Sequence, residues 1–486
     1  MRTRVWAGGE EGRVWEWRKV RPAGVAEDRE GLDEVPFQER HLRCVWFDPA
    51  YRPMDLTTVD GEPVIVDQPG RWNLEAGPDF LDARLRIGTP GRCLNGDVEL
   101  HIHPEDWIRH EHGADSRYRR VVAHVTYYER RVDPACLPPG TVQIALRGPL
   151  RKCPSFSFET LDLTAYPYAL RTVRAPCAER LAVWPAERVA GFLETAGLER
   201  LSQKTARMRQ VIGLQGADQA LYEETLAALG YKSNRRPFRL LAQRISRRLL
   251  AEESQGDSDR AYALLCGVAG LLPTAIRSEW DEETRRYVRR IWDHWWKFQA
   301  RHSALILPRE AWCLSGLRPA NHPLRRLAVA ALMFGSPGGP DDEWSAVFRK
   351  PVGDWAANLT AGWSRMAPES YWRTRYGFGG QRAVAPVALL GPDRQAAWIV
   401  NILVPWAMAA GRWIPAEDAE LRDLPVEEAN TLVKQAAVNL LGADHNPAIY
   451  RSSLCRQGLI QIFSDFCLNQ AADCGGCAMR RELEKG

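Results

Sequence analysis

The sequence predicts an α/β module with a mixed sheet, followed by an all-α domain and a short cysteine-rich segment that binds metal. Short β-type runs separated by Gly and Pro dominate residues 1–155, and amphipathic helical periodicity dominates residues 156–450. Four cysteines then fall within residues 451–486. We therefore expect domain boundaries near residues 155 and 450, with the last segment packed on the helical domain.

The first module is predicted to have the element order α-β-β-β-α-β. An amphipathic helix is expected in PFQERHLRCVWF, and a second, shorter helix is expected around residues 106–119. Strands alternate with Gly- and Pro-rich turns on either side of this second helix. The predicted strands are residues 63–67, 80–87, 97–102, 121–128 and 141–146.

The second module is predicted to be entirely helical, because apolar residues recur there with the period of an α-helix. No repeat of fixed period is evident. The predicted helices are residues 186–195, 198–212, 217–229, 238–253, 257–272, 280–303, 322–334, 395–410 and 427–441.

The composition is that of a folded globular protein. Of 486 residues, 45% are hydrophobic and 26% are charged, which argues against extensive disorder. The net charge of +4 neither requires nor excludes a polyanionic partner. Basic stretches at residues 200–210, 231–248 and 318–327 would suit contacts with nucleic-acid phosphates, although solvated helix faces have the same composition.

We expect a cytoplasmic protein without a membrane partner. The first twenty residues contain no apolar core of a secretion signal, and the longest apolar runs, near residues 264–276 and 396–410, are too short to span a bilayer. Cysteines in the cytoplasm stay reduced, so a cluster of them suggests a metal before it suggests a disulfide.

A candidate acidic site lies in GPDFLDARLRIGTPGRCLNGDVELHIH. Asp79 begins one predicted strand, while Glu99 and His101 lie two residues apart in the next and so face the same side. Paired carboxylates on adjacent strands can hold Mg²⁺ or Mn²⁺, and His101 could orient or deprotonate a water. Half of the ten histidines fall between residues 101 and 124. We therefore predict Asp79, Glu99 and His101 as catalytic and the two acids as metal ligands.

This arrangement resembles the PD-(D/E)xK nucleases, whose core has the same αβββαβ order in a restriction-endonuclease-like fold. The resemblance rests on Pro78-Asp79, followed after nineteen residues by Glu99-x-His101. It implies that the two acids bind the metal, and Glu39 on the leading helix matches an additional acid of some members. The sequence departs from the pattern at His101, where the family has lysine.

A wider resemblance covers nearly the whole chain. ERHLRCVWF, GRWNLEAGPDFLDARL, GDVELH, DWIRHEHGADSRYRRVVAHV, RPANHPLRRLA and the cysteine-rich end are similar to the bacterial DUF2851 family of uncharacterised proteins. This family implies no activity. We expect a metal-dependent nuclease acting on DNA or RNA. The alternative is a non-catalytic scaffold that binds nucleic acid or protein and retains a degenerate nuclease-like core.

Other interpretations of the acidic site stay open. Asp79 could cap a turn, and Glu99 with His101 could be a solvated strand face or a hydrogen-bonded pair. A zinc hydrolase that uses the histidine cluster on a small molecule fits His101, His103 and His110 but lacks an HExxH helix. Zinc chemistry would show three side-chain nitrogens converging, whereas a scaffold would show the acids apart or paired with neighbouring cations.

The end of the chain carries a second candidate metal site. Cys455, Cys467, Cys474 and Cys477 have the spacing C-x11-C-x6-C-x2-C. A C-x2-C turn chelates naturally, and two further thiolates complete a tetrahedral set for zinc or the four ligands of a [4Fe–4S] cluster. We predict a structural role for this site, in which the metal holds the terminal helix in place.

Overall fold

The structure is a computed structural model. It describes residues 37–74, 77–153, 156–158, 161, 163, 166–167, 176–315, 317–335, 339–366, 371–468, 474 and 477–485.

The chain forms two compact units. The sheet unit comprises residues 1–185, 431–445 and 459–486, and the helical unit comprises residues 186–430 and 446–458. The chain therefore leaves the helical unit twice to contribute helices to the unit that contains the sheet. No helix among the described residues is both long and apolar enough to cross a bilayer.

The sheet unit contains a six-stranded mixed sheet. Its apolar side chains alternate along β3, so that one face of that strand is buried and the other is exposed. The strands are β1 (Val64–Gln68), β2 (Arg71–Trp72), β3 (Phe80–Ile87), β4 (Arg92–His101), β5 (Val121–Thr126) and β6 (Val142–Ala145).

The strand order is β1-β3-β4-β5-β6, with the short β2 paired to β3. Strands β1, β3 and β4 are antiparallel neighbours, whereas β5 runs parallel to β4 and β6 runs parallel to β5. A parallel pair requires a crossover, and the short helices between β4 and β5 supply it. The predicted mixed sheet is confirmed.

Helices complete the sheet unit. The first, α1 (Glu39–Phe47), buries Leu42, Val45 and Trp46 and contacts β4. The others are α2 (Asp106–Arg109), α3 (Arg147–Arg151), α4 (Pro176–Leu181), α16 (Thr431–Leu441) and α18 (Ala478–Lys485), to which are added 3₁₀ turns at His112–Ala114, Ser116–Arg120 and Pro134–Cys136.

The helical unit is built on one apolar core, and every side chain of its helix Pro323–Phe334 is buried. The α-helices are α5 (Ala186–Gln215), α6 (Ala217–Leu229), α7 (Tyr231–Arg244), α8 (Arg247–Ser254), α9 (Ser258–Val268), α10 (Glu282–His302), α11 (Pro323–Phe334), α12 (Gly339–Phe348), α13 (Trp355–Met366), α14 (Pro392–Trp398) and α15 (Val404–Ala409).

Two π-helical turns interrupt the α-helical geometry, and helix α17 (Ser453–Ile462) ends in one of them. The turn at Ile399–Leu403 joins α14 to α15, and the turn at Phe463–Cys467 follows α17 without a break. Helix α17 begins with residues of the helical unit and ends with residues of the sheet unit.

Candidate metal centre

The sheet brings the two predicted acids together at the start of β3 and the end of β4. The backbone N–H of Asp79 donates to Oε2 of Glu99 at 3.0 Å, and the backbone N–H of Leu100 donates to Oδ2 of Asp79 at 3.1 Å. Both acids are buried, with exposed fractions of 5% and 4%. The pairing of β3 with β4 places Phe80 opposite Val98, and this register aligns the preceding Asp79 with Glu99.

Arg43 of helix α1 is the cationic partner of Asp79. Its Nε lies 2.8 Å from Oδ1 of Asp79. Burial raises the pKa of Asp79, and Arg43 and the N–H of Leu100 oppose that shift. Burial also raises the pKa of Glu99 well above its ordinary value, as does the nearby Asp79. Each Asp79 oxygen therefore has a protein partner, whereas Oε1 of Glu99 faces a group of imidazoles.

Three histidines converge beside Glu99. Nε2 of His101 lies 3.2 Å from Nε2 of His112 and 3.2 Å from Nδ1 of His110. These three nitrogens all lie within 4.8 Å of one another. Oε1 of Glu99 is 3.5 Å from Nε2 of His101 and 3.4 Å from Nε2 of His112. One carboxylate oxygen and three ring nitrogens thus form a compact set of donor atoms.

Four of the six separations within this donor set match those of ligands around one tetrahedral ion. For metal–ligand bonds of about 2.0–2.1 Å, two ligand atoms at the tetrahedral angle lie about 3.3–3.4 Å apart. The two separations from His101 to the other histidines and the two from Glu99 to His101 and His112 range from 3.2 to 3.5 Å. Imidazole nitrogens favour zinc and other transition metals over Mg²⁺, which prefers oxygen ligands. The donor set therefore fits a transition metal better than magnesium.

Hydrogen bonding orients His101 for such a role. Its Nδ1 lies 2.9 Å from Nε2 of His124, which occupies the neighbouring strand β5. When Nδ1–H donates to His124, Nε2 of His101 carries the lone pair that a metal requires. Burial, reinforced by the neighbouring imidazoles, lowers the pKa of His101 below its ordinary value. Burial also lowers the pKa of His112 to about 4, so both rings are neutral near pH 7.

Backbone geometry and aromatic packing hold His110 and His112 at the centre. Glu111 between them adopts a left-handed conformation with φ of 57°, which turns the chain after helix α2. The ring of Tyr118 stacks on His112 at a centroid distance of 3.9 Å, and Trp107 contacts the same ring edge-on at 5.4 Å. His110 is exposed, so solvent reaches the donor set from its side.

The other predicted site residues fall outside this donor set. His103 stacks on Tyr128 at 4.7 Å instead of joining the imidazoles. Glu39 lies on helix α1, 3.7 Å from Arg43, and so adjoins the acidic pair through that arginine. Sequence reasoning gave no role to Arg43, although its position four residues after Glu39 places both side chains on one face of the helix.

Three of the four predicted cysteine ligands belong to the sheet unit and one belongs to the helical unit. Cys474 and Cys477 form a turn in the sheet unit, where the N–H of Cys477 donates to the carbonyl of Cys474 at 3.3 Å. Cys467 ends the π-helical turn in the same unit. Cys455 belongs to the helical unit and is buried there, and its thiol donates to the carbonyl of Ala190 at 3.7 Å.

A family model described as a protein of unknown function (DUF2851) matches residues 39–426. The chain belongs to this family. The match to the DUF2851 family begins at the first residue of helix α1, contains the whole donor set and ends before the cysteine-rich segment. No curated protein and no solved structure matches the chain.

Glu39 provides a pH-dependent prediction for this part of the sheet unit. Burial raises its pKa to about 7, against the opposing charge of Arg43. Because the pKa is higher in the folded chain than in the unfolded one, ionising Glu39 costs stability as the pH rises from about 4.5 to 7. The Glu39→Gln variant should therefore be more stable than the wild type at pH 8 by about 1–2 kcal/mol, allowing for its partial exposure, and nearly equal at pH 5.

Urea unfolding of both proteins at pH 5 and pH 8 measures this difference. A stability gain of the same size at both pH values would show that the ionisation of Glu39 is not its source.

Proposed function

We propose that the sheet unit is a metal-dependent phosphodiesterase that hydrolyses DNA or RNA. Its metal would be a transition-metal ion, such as zinc or manganese, held by His101, His110, His112 and Glu99. The observation that carries this proposal is the convergence of three ring nitrogens within 4.8 Å of one another, with a carboxylate oxygen of Glu99 3.4 Å from the nitrogen of His112. Asp79 would act as a positioning residue that holds Glu99 through its backbone N–H.

The sheet supports the nuclease part of the proposal. Three antiparallel strands are followed by a short helix and a parallel strand, which is the element order of the PD-(D/E)xK resemblance. Asp79 precedes the second of the three long antiparallel strands and Glu99 lies in the third. The difference from that resemblance lies in the donor atoms. Imidazoles lie beside Glu99, and one of them, His101, occupies the position where the family has a lysine.

Each side chain of the centre has a chemical task in this proposal. Three imidazoles and Glu99 would bind the ion, and His124 would hold the tautomer of His101. A bound ion of this type lowers the pKa of a coordinated water and stabilises negative charge on a phosphate. The exposed side of His110 would admit the substrate.

Basic side chains flank the same side of the sheet unit. Arg117, Arg119 and Arg120 are exposed on the 3₁₀ turn Ser116–Arg120, whose Tyr118 stacks on His112. Arg117 and Arg120 pair with Asp115 and Asp82, respectively. Exposed guanidinium groups on a turn that contacts the centre suit the binding of a phosphate backbone.

The experiment compares two histidine variants of the full chain. His110→Ala removes an exposed donor and should lower the bound transition metal by about one ion per chain and abolish hydrolysis of labelled DNA and RNA. His103→Ala is the matched control, because His103 lies in the same segment outside the donor set, and it should keep both properties. Metal content by mass spectrometry and cleavage in the presence of Zn²⁺, Mn²⁺ or Mg²⁺ provide the readouts.

A second candidate function, a non-catalytic scaffold, has one observation in its favour. Asp79 is tied up by Arg43 and by a backbone N–H, and so offers no oxygen free of a protein partner. The two results to compare are the metal content of His110→Ala and the cleavage activity of the wild type. If the variant loses the metal and the wild type cleaves neither DNA nor RNA, the scaffold is established and the phosphodiesterase is refuted. Cleavage that is equal in wild type and His110→Ala would place the chemistry elsewhere.

A further inference from the structure

A fifth cysteine lies beside the C-terminal cysteine turn. Cys177 is the second residue of helix α4, and its thiol donates to the carbonyl of Asn439 in α16 at 3.9 Å. Helix α4 contacts both α16 and α18, and α18 begins at Ala478, immediately after Cys477. All of these residues belong to the sheet unit. The fold thus packs the helix that carries Cys177 against the helix that follows a cysteine pair 300 residues later.

The electrostatics of Cys177 agree with this proximity. Burial raises the pKa of the Cys177 thiol to about 11, and the next contributions come from Cys474 and Cys477. Like-charged thiolates raise one another's pKa only when they lie close together. A cation bound among such thiols would reverse the effect, because a coordinated thiol is deprotonated.

Cys455 lies too far along its helix to share an ion with Cys467. The two cysteines are twelve residues apart in the uninterrupted run formed by α17 and the following π-helical turn. At the helical rise this separation is about 18 Å, and a π-helical turn shortens it only slightly. Ligands of one zinc ion lie within about 4 Å of one another, given a zinc–sulfur bond of about 2.3 Å.

We propose that Cys177, Cys467, Cys474 and Cys477 are the four thiolate ligands of one metal centre in the sheet unit. Cys474 and Cys477 supply the chelating turn, helix α4 supplies Cys177, and Cys467 lies seven residues before Cys474. Four thiolates take either a zinc ion or a [4Fe–4S] cluster. The centre would tie α4 to the C-terminal helix α18.

The first test measures metal in full-length protein purified without oxygen. The wild type should contain about one zinc per chain at this centre, or about four irons with absorption near 400 nm. Cys177→Ser should lose that metal, whereas Cys455→Ser should keep it. Metal that survives in Cys177→Ser but is lost in Cys455→Ser would overturn the proposal. So would a wild type whose entire metal content disappears with His110→Ala, because that metal would belong to the histidine centre.

A second test uses the wild type alone and so does not depend on how a variant folds. Iodoacetamide should label the exposed Cys93 and Cys313 at once, and should label the four proposed ligands only after a chelator removes the metal. Peptide mass spectrometry reports each site. Cys177 that is labelled at the same rate before and after chelation, or that stays unlabelled while Cys455 becomes reactive, would contradict the proposed ligand set.

Discussion

The Glu99→Gln variant is expected to lose at least about 100-fold in affinity for the transition metal, together with hydrolysis, and to keep its fold. Glutamine has nearly the shape of glutamate, and its amide oxygen can still accept the hydrogen bond from the N–H of Asp79. It removes the anionic donor beside His101 and His112. Loss of an orienting partner alone typically costs 10- to 100-fold in metal affinity, so loss of an anionic ligand should cost at least as much.

The Glu99→Gln substitution should lower metal affinity and hydrolysis but should not lower the stability of the metal-free protein. Burial makes ionised Glu99 costly, as its raised pKa indicates, so an uncharged amide should leave the metal-free protein at least as stable as the wild type. Glu105→Gln is the matched control, since Glu105 is an exposed acid of the same segment and lies 3.8 Å from Arg130. Metal titration, thermal unfolding without metal and cleavage assays measure the three quantities. Unchanged metal affinity in Glu99→Gln would show that Glu99 is not a ligand of the centre.

The second large effect is expected in the helical unit, where Glu224→Met should reduce the free energy of unfolding by about 3–5 kcal/mol. Glu224 is buried in helix α6, 2.7 Å from Arg207 and 2.9 Å from Arg239. Burial by itself raises the pKa of this carboxyl, but the two guanidinium groups more than offset the rise and hold it below its ordinary value. Methionine fills similar space and leaves the largely buried arginines without this anion.

Thermal unfolding measures this effect as a fall in Tm of about 6–20 °C, given about 2–4 °C for each kcal/mol in a unit of this size. Glu252→Gln on helix α8 is the control, because Glu252 forms an exposed pair with Arg248 and should change stability by less than about 0.5 kcal/mol. A second substitution, Arg207→Met, in the Glu224→Met background should recover part of the loss. If it recovers none, the uncompensated charge is not the cause.

Five of the six strands that the structure describes were predictable, because each is short and bounded by turn residues. Residues 80–87 were predicted as a strand and form β3 with the same bounds, since its alternating pattern buries one face. The two-residue strand Arg71–Trp72 has no such pattern, and it exists only because β3 offers a partner. Strand β4 begins five residues earlier than predicted for the same reason, because its polar first half pairs with β3.

The helices, like the strands, have some bounds that local pattern predicts and others that depend on tertiary contacts. Two helices were predicted at residues 186–195 and 198–212, but the structure has the single helix α5 through Gly197. Helix α17 crosses so close to Gly197 that a Cβ at this position would lie 2.1 Å from the carbonyl oxygen of Leu454. The crossing therefore requires glycine inside the helix, although glycine weakens a helix. The predicted helix at residues 238–253 is instead divided between α7 and α8, where Ser246 caps the second helix.

The sequence by itself determined the local chemistry of the candidate centre. It placed Asp79 at the start of one strand and Glu99 with His101 on the same side of the next, and it showed a concentration of histidines just beyond them. These are consequences of strand periodicity and spacing, which short-range rules capture. The family relationship also follows from sequence, through the match of residues 39–426.

Only the tertiary structure decided which of these groups meet. Spacing could not select His112 over His103, because the left-handed turn at Glu111 and the stacking of Tyr118 fix the direction of that ring. It could not show either that the helix of Cys177 packs against α18, because that contact joins segments separated by 300 residues of chain. Contacts between distant segments arise from packing a whole core, and no local pattern encodes them.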